Sequence, residues 1–229
     1  MAKITHLDES VFQFLKALEG NNNREWFAKN KPKYVAANDH FKALAEEINV
    51  GMQKQDNIEK MKLYRIYRDV RFSKSKEPYK NSFSGGFSRK TKALRGGYYF
   101  HLEPGGKSMV GGGFWQPEAS DLKRIREEIA ADATPLRKII NSSSFKTHFG
   151  ELGGEQLKTA PKGFPKDHPD IDLLRYKSFI VSKYFTDKEV ETPGFSEEVL
   201  KYFNATRPFF DYMSEVLTTD VNGVSLLDK

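Results

Sequence analysis

The hydrophobic period of the chain changes twice, and the order of those changes limits the fold. Apolar residues recur at helical spacing through the first fifty positions, alternate through the middle, and return to helical spacing towards the end. Val11, Phe12, Phe14, Leu15 and Leu18 predict a helix over 8–19, with Asp8 as its N-cap, Leu7 and Phe12 as a staple, and Gly20 at its C-terminal end. The run Asn21-Asn22-Asn23 reads as a turn that caps a short helix over 24–29, and Pro32 opens a longer helix that Gly51 closes. Strict alternation then predicts a strand over 61–72, followed by a polar Gly- and Lys-rich connection over 73–96. Residues 97–103 and 107–115 form an expected antiparallel hairpin about Pro104-Gly105-Gly106.

Helical pattern resumes over 117–131, with a second helix over 134–140 started by Thr134 and Pro135. A loop carrying Pro161, Gly163, Pro165 and Pro169 follows, and then a segment over 173–184 that mixes a short helix with the β-prone run Phe179-Ile180-Val181. The last helix is expected over 196–217, kinked at Pro208, with the final dozen residues frayed. Helices, then strands, then helices imply an α+β fold, a mainly antiparallel sheet packed against N- and C-terminal helices. No repeat and no linker divides residues 1–229, so a single domain is expected.

The chain has no cysteine, which excludes disulfides, thiolate metal sites and a cysteine nucleophile. No apolar run approaches the ~20 residues that span a bilayer. The N-terminus lacks the apolar core of a signal peptide, so a cytoplasmic protein is expected.

Charge is unevenly spread. Of 37 basic and 31 acidic residues, twelve basic residues and only two acids, Asp69 and Glu77, fall within 60–95. The rest of the chain is therefore net acidic, and the excess in this segment favours anionic partners. On a strand, Arg65, Tyr67, Asp69 and Arg71 share one face, and Tyr64, Ile66, Arg68, Val70 and Phe72 the other. Guanidinium groups match carboxylate and phosphate in geometry, and Asp69 is placed to orient one of them. Three readings of the cluster stand: an anion site, an internal salt-bridge network holding sheet to helix, and plain surface.

The stretch Arg65-Ile66-Tyr67-Arg68-Asp69-Val70-Arg71-Phe72, with Lys76 and Tyr79 after it, resembles the signature of the domain-of-unknown-function family 2461. That resemblance extends to the opening Phe-x-x-x-Leu and Asn-Arg-Glu-Trp-Phe segments, to residues 98–103, and to Gly111-Gly112-Gly113-Phe114-Trp115. It extends also to Pro161-Lys162-Gly163-Phe164 and Asp167-His168-Pro169. Ser75 stands where the family usually has Asp or Asn, which removes a carboxylate from any metal site there. The resemblance implies a fold and a site, not a reaction.

On the second strand Tyr99, His101 and Glu103 share a face, and His101 with Glu103 makes an acid–base pair or a histidine satisfied on a half-exposed strand. The Gly111–Gly113 run admits either a ligand or a crossing helix. Gly105-Gly106-Lys107-Ser108 is not a phosphate-binding loop, because the required earlier glycine is His101 and the context is a hairpin turn. Asp167, His168, Asp170 and Asp172 suit a turn before a helix better than a cation site, and His6, His40 and His148 are scattered, so no metal is expected. Lys162, Arg175 and Lys177 are further candidate anion contacts.

Two functions follow. In the first, Arg65, Arg68, Asp69 and Arg71 form a pocket for a small phosphate- or carboxylate-bearing ligand, closed by Lys76 and Tyr79, with His101 and Glu103 as acid–base groups. In the second, segment 60–95 binds nucleic acid, with Tyr64, Tyr67, Phe72, Tyr79, Phe83 and Phe87 offered to bases. The bland alternative is a structural network without a ligand. The sequence specifies no reaction, cofactor or oligomeric state.

Overall fold

Caps and apolar spacing set the first helices of the computed structural model, which describes residues 3–71, 76–220 and 222–227. Asp8 accepts the Ser10 N–H and opens α1 (Glu9–Glu19), whose buried face is the predicted one. Asn23 accepts the Trp26 N–H and opens α2 (Arg24–Lys29). Helix α3 (Lys31–Gln55) starts with Pro32 in its first turn but does not stop at Gly51. A Cβ at Gly51 would lie 2.3 Å from Leu200 Cδ1, so this glycine admits a packed side chain within the helix.

Strand β1 (Ile58–Tyr64) ends well short of residue 72, and Phe72 itself lies outside the described residues. Beyond Tyr64 the backbone pairs with residues 78–80 instead. Arg68 N–H donates to the Pro78 carbonyl at 2.9 Å, Lys80 N–H donates to the Ile66 carbonyl at 2.8 Å, and Tyr67 stands opposite Tyr79. The expected polar connection contains a further strand, β2 (Phe83–Arg89). Phe83 and Phe87 are buried, and a side chain at Gly85 would meet Leu63 and Phe100 at 2.7 Å. Its glycines and serines hide this strand from a propensity reading while fitting it between larger neighbours.

The hairpin β3 (Gly97–Leu102) and β4 (Ser108–Phe114) follows as expected. Then come α4 (Ala119–Ala131), α5 (Thr134–Ile140), α6 (Ser143–Phe149), α7 (Ile171–Leu174), β5 (Phe179–Phe185), α8 (Asp187–Val190) and α9 (Phe195–Thr218). Thr134 lies inside α5 rather than capping it, and the Asp132 carboxylate takes its N–H. Pro208 lies inside α9. The strands form one antiparallel sheet in the order β1-β2-β3-β4-β5, an α+β fold with helices at both ends of the chain. No described helix is long and apolar enough to cross a membrane.

Contacts gather the chain into two compact units, each drawn from separate segments. The first comprises Met1–Phe87, Tyr99–Val110 and Tyr184–Lys201; the second comprises Ser88–Tyr98, Gly111–Lys183 and Tyr202–Lys229. In the first, Phe41 of α3 packs 5.0 Å from Phe83 and 5.7 Å from Phe100, which fixes the core face of its strands. In the second, Phe210 of α9 lies 4.9 Å from Tyr98, and Gly112 leaves room for its ring. Gly113, at φ +146°, lies so close to β5 that a Cβ would sit 2.2 Å from the Phe179 carbonyl oxygen. The glycine run therefore serves packing.

Two charged contacts hold these units. In the second, Arg89 is fully buried, donates to Asp211 at 2.7 Å, to the Arg95 carbonyl and to Ser214, and stacks on Phe210. In the first, the Gly105 and Gly106 N–H groups of the hairpin turn hold the Asp187 carboxylate at 2.8 and 3.0 Å, and Lys16 reaches it at 3.0 Å. Burial pushes the Asp187 pKa up, but the Gly106 and Gly105 donors and Lys16 together hold it below the usual range.

Arg89→Ala is expected to lower the unfolding free energy by about 3 kcal/mol or more, since it breaks a buried charge network. Exposed Lys90→Ala is expected to change it by less than about 0.5 kcal/mol. Urea denaturation of the two variants checks the contrast. Asp187→Asn is expected to cost about 1–2 kcal/mol at neutral pH. Because the folded-state pKa of Asp187 is depressed, its contribution is present above the unfolded pKa and is lost as pH falls through the folded one. The difference between wild type and variant in urea midpoint is therefore expected to close under acid conditions.

Candidate functional site

The site is built on Tyr79. Its ring is buried and stacks on Phe27 at 3.9 Å with an 11° tilt. Asn22 grips its backbone from both sides, donating to the Tyr79 carbonyl at 3.0 Å and accepting its N–H at 3.2 Å. Tyr79, expected to close over an anion, is instead committed to packing, and the pairing of 78–80 with 66–68 is fixed through it.

Three cations lie along that pairing. Arg65 is exposed and has no ion pair among the described residues. Arg68 is about a quarter exposed, and Glu77 is the acid it meets, at 3.8 Å, beyond hydrogen-bonding distance. Lys80 is half-buried, with its Nζ 5.8 Å from the Tyr64 ring centre. Burial first, and then the positive charges of Arg65 and Arg68, hold the Lys80 ammonium below its ordinary range.

The rest of the motif is differently engaged. Arg71 forks onto its neighbour Asp69, Nε to Oδ1 at 3.0 Å and Nη2 to Oδ2 at 2.7 Å, and both side chains are well exposed. This contact lowers the pKa of Asp69 and raises that of Arg71. Lys76 donates to the Val70 carbonyl at 3.2 Å. Ser75 lies outside the described residues.

Tyr64 connects this cluster to β3. Lys62 Nζ stands 5.5 Å from its ring centre, and the Tyr99 ring lies 6.4 Å away on its other flank. The Tyr99 hydroxyl is 3.3 Å from His101 Nδ1, and His101 Nε2 is 2.8 Å from Glu103 Oε2. With Nε2 facing the Glu103 carboxylate, a neutral His101 ring presents Nδ1 as the acceptor for the tyrosine hydroxyl. Lys107 at 3.2 Å and Asn81 at 3.3 Å hold the other Glu103 oxygen, and Glu103 raises the Lys107 pKa. His101 and Glu103 thus act as a pair, and Tyr99 is the exposed end of a three-residue chain.

Sequence reasoning missed Lys80 as a site group, offered Tyr64 only as a stacking residue for nucleic acid, and gave Tyr99 a face but no role. Tyr99 shares the alternation of His101 and was legible; Lys80 enters only through the return of 78–80 onto 66–68. Of the aromatic residues offered to bases, Phe83, Phe87 and Tyr79 are buried, whereas Tyr64 and Tyr67 are exposed.

Most of the other candidate charged groups are engaged. In the second unit Arg137 holds Asp170 and Asp172, each at 2.7 Å, and His168 Nδ1 accepts the Asp170 N–H. Arg175 donates to the Leu157 carbonyl, Lys177 pairs with Glu155, and Lys162 is exposed. Among the described residues no three His, Asp or Glu gather as a metal site. A hollow of about 250 Å³ in the second unit is lined by the engaged Arg137, and one of about 320 Å³ in the first unit by Phe14, Ala17 and Trp26.

No curated protein and no solved structure shows significant similarity to the chain. The family model of a conserved hypothetical protein, DUF2461, matches residues 10–212, and the chain belongs to that family.

Proposed function

We propose that the first unit binds a small anionic ligand, phosphate- or carboxylate-bearing, between Arg65, Arg68 and Lys80. The observation that carries this reading is the backbone pairing that sets Lys80 beside 66–68, where the charges of Arg65 and Arg68 act on it and Glu77 stands 3.8 Å from Arg68. Gathering like charges costs stability, and an anion returns it. Arg71 and Asp69, already joined, frame the site rather than contact the ligand, and Lys76 is held by the Val70 carbonyl.

The Tyr99–His101–Glu103 chain supports acid–base chemistry on a bound ligand. Glu103 orients His101, and His101 takes or returns the Tyr99 hydroxyl proton at the edge of the cationic cluster. A cysteine-free chain fits the cytoplasm, where phosphorylated small molecules abound.

Isothermal titration with inorganic phosphate at about 50 mM salt is expected to detect binding, which Arg65→Gln and Lys80→Gln each weaken roughly tenfold. Glu77→Gln is expected to tighten it. Without phosphate, Lys80→Gln is expected to melt no lower than wild type, because it relieves repulsion. Equal binding by the Arg65→Gln/Lys80→Gln double variant, or none by wild type with either phosphate or citrate at about 10 mM, overturns the reading.

A further inference from the structure

The cations do not stand alone. The unit-one sheet face turned away from Phe41 carries two exposed tyrosine rings, Tyr64 at 39% and Tyr99 at 36% exposure. They belong to β1 and β3 and lean towards each other across β2, 6.4 Å apart and tilted by 53°. On that face β2 presents Ser84 and Gly86, since Phe83, Gly85 and Phe87 point to the core. The floor is thus small, with Ser84 buried, and the rings above it are partly exposed, Tyr64 with the Lys62 and Lys80 ammonium groups against its ring.

Exposed aromatic rings on an open sheet face leave large apolar surface in water, and every nucleobase has a π-face that stacks on such rings. Lys62 and Lys80 lie 5.5 and 5.8 Å from the Tyr64 ring centre, and Arg65 follows it directly in the chain. Inorganic phosphate would use only the cations and leave both rings wet. A ligand that joins a planar ring to a phosphate through a short linker covers both.

We infer that the ligand is a nucleoside phosphate, its phosphate held by Arg65, Arg68 and Lys80 and its base laid on the Tyr64–Tyr99 ring pair. This inference rests on the anion site proposed above and names its ligand class. Tyr99 then meets the ligand with its ring while its hydroxyl stays on His101, which puts the proton-transfer chain beside the nucleoside rather than beyond the phosphate. The same unit is presented by a free mononucleotide and by a single strand.

The test is calorimetric titration of the full chain at about 50 mM salt with AMP, adenosine, ribose 5-phosphate and inorganic phosphate. AMP is expected to bind about tenfold or more tighter than ribose 5-phosphate, the gain of one stacked base. Tyr64→Leu and Tyr99→Leu are each expected to weaken AMP binding more than ribose 5-phosphate binding, with an unchanged circular-dichroism spectrum showing that the variants are folded; an equal loss for both ligands overturns the stacking role of the ring. A single-stranded oligonucleotide that binds more tightly than AMP, with a steep salt dependence, identifies a strand as the source; equal or weaker binding identifies a free nucleotide. Equal affinity for AMP and ribose 5-phosphate overturns the nucleoside inference and leaves the anion site standing. Absence of binding by every phosphate removes both.

Discussion

The stack of Tyr79 on Phe27 is the contact on which the candidate site depends. At 3.9 Å and nearly parallel, it anchors a short segment that belongs to no named strand. Asn22 completes the anchor by taking both hydrogen bonds that a neighbouring strand would take from Tyr79. Two backbone bonds then hold 78–80 against 66–68. Without that anchor Lys80 has no fixed relation to Arg65 and Arg68. Holding cations together needs a scaffold whose own packing exceeds their repulsion, and a buried aromatic stack with a two-sided amide clamp supplies one.

The strands of the first unit divide their labour by face. One face carries Leu63, Phe83, Phe100 and the bare Gly85, and takes the Phe41 ring of α3. The other carries Tyr64, Tyr99, His101 and Glu103, with hydrogen bonds running along it rather than into the core. Alternation on β3 therefore does two things at once: Phe100 and Leu102 hold the strand in place, and the residues between them are free to do chemistry. The bonds from Glu103 to Lys107 and Asn81 make the histidine's orientation a property of the hairpin and not of a mobile side chain.

Alternation in the sequence foretold exposure better than it foretold pairing. Past Tyr64 the chain leaves regular strand and the alternation changes phase: Leu63 and Ile66, three apart, both face inward, while Tyr64 and Arg65 are both exposed and Tyr67 and Asp69 follow Arg65. The period reports which side faces the core; it is silent on which backbone stands opposite. That is why β1 seemed longer than it is, and why the bridge to Tyr79 was out of sight. β2 failed to register for the opposite reason. Gly85 and its serine neighbours read as loop, and only the rings of Phe100 and the side chain of Leu63 explain why glycine is needed in a strand. Gly51 misled in the same way, a helix-interior position shaped by Leu200. His101 and Glu103 were legible because their partnership is local, two residues apart on one strand.

Within a single basic segment, arginines play opposite parts, and the difference lies in whether a carboxylate is within reach. Arg89 is buried on Asp211, Arg95 bonds to Asp121, and Arg71 turns back on Asp69. Each is neutralised by the protein itself. Arg65 and Lys80 form no ion pair among the described residues, though Arg65 acts on Asp69 at longer range, and Arg68 stands 3.8 Å from Glu77. A charge total cannot separate these cases, because it counts Arg89 and Arg65 alike. The separation comes from depth and pairing. A buried guanidinium without partners is prohibitively costly, so Arg89 must be structural. A surface cation costs little when unpaired, but three driven together by a rigid pairing cost more than any one alone. That excess is the free energy an incoming anion can recover, and it sets the paired stretch around Arg65, Arg68 and Lys80 apart from Arg71, Arg89 and Arg95, which the chain's own acids satisfy.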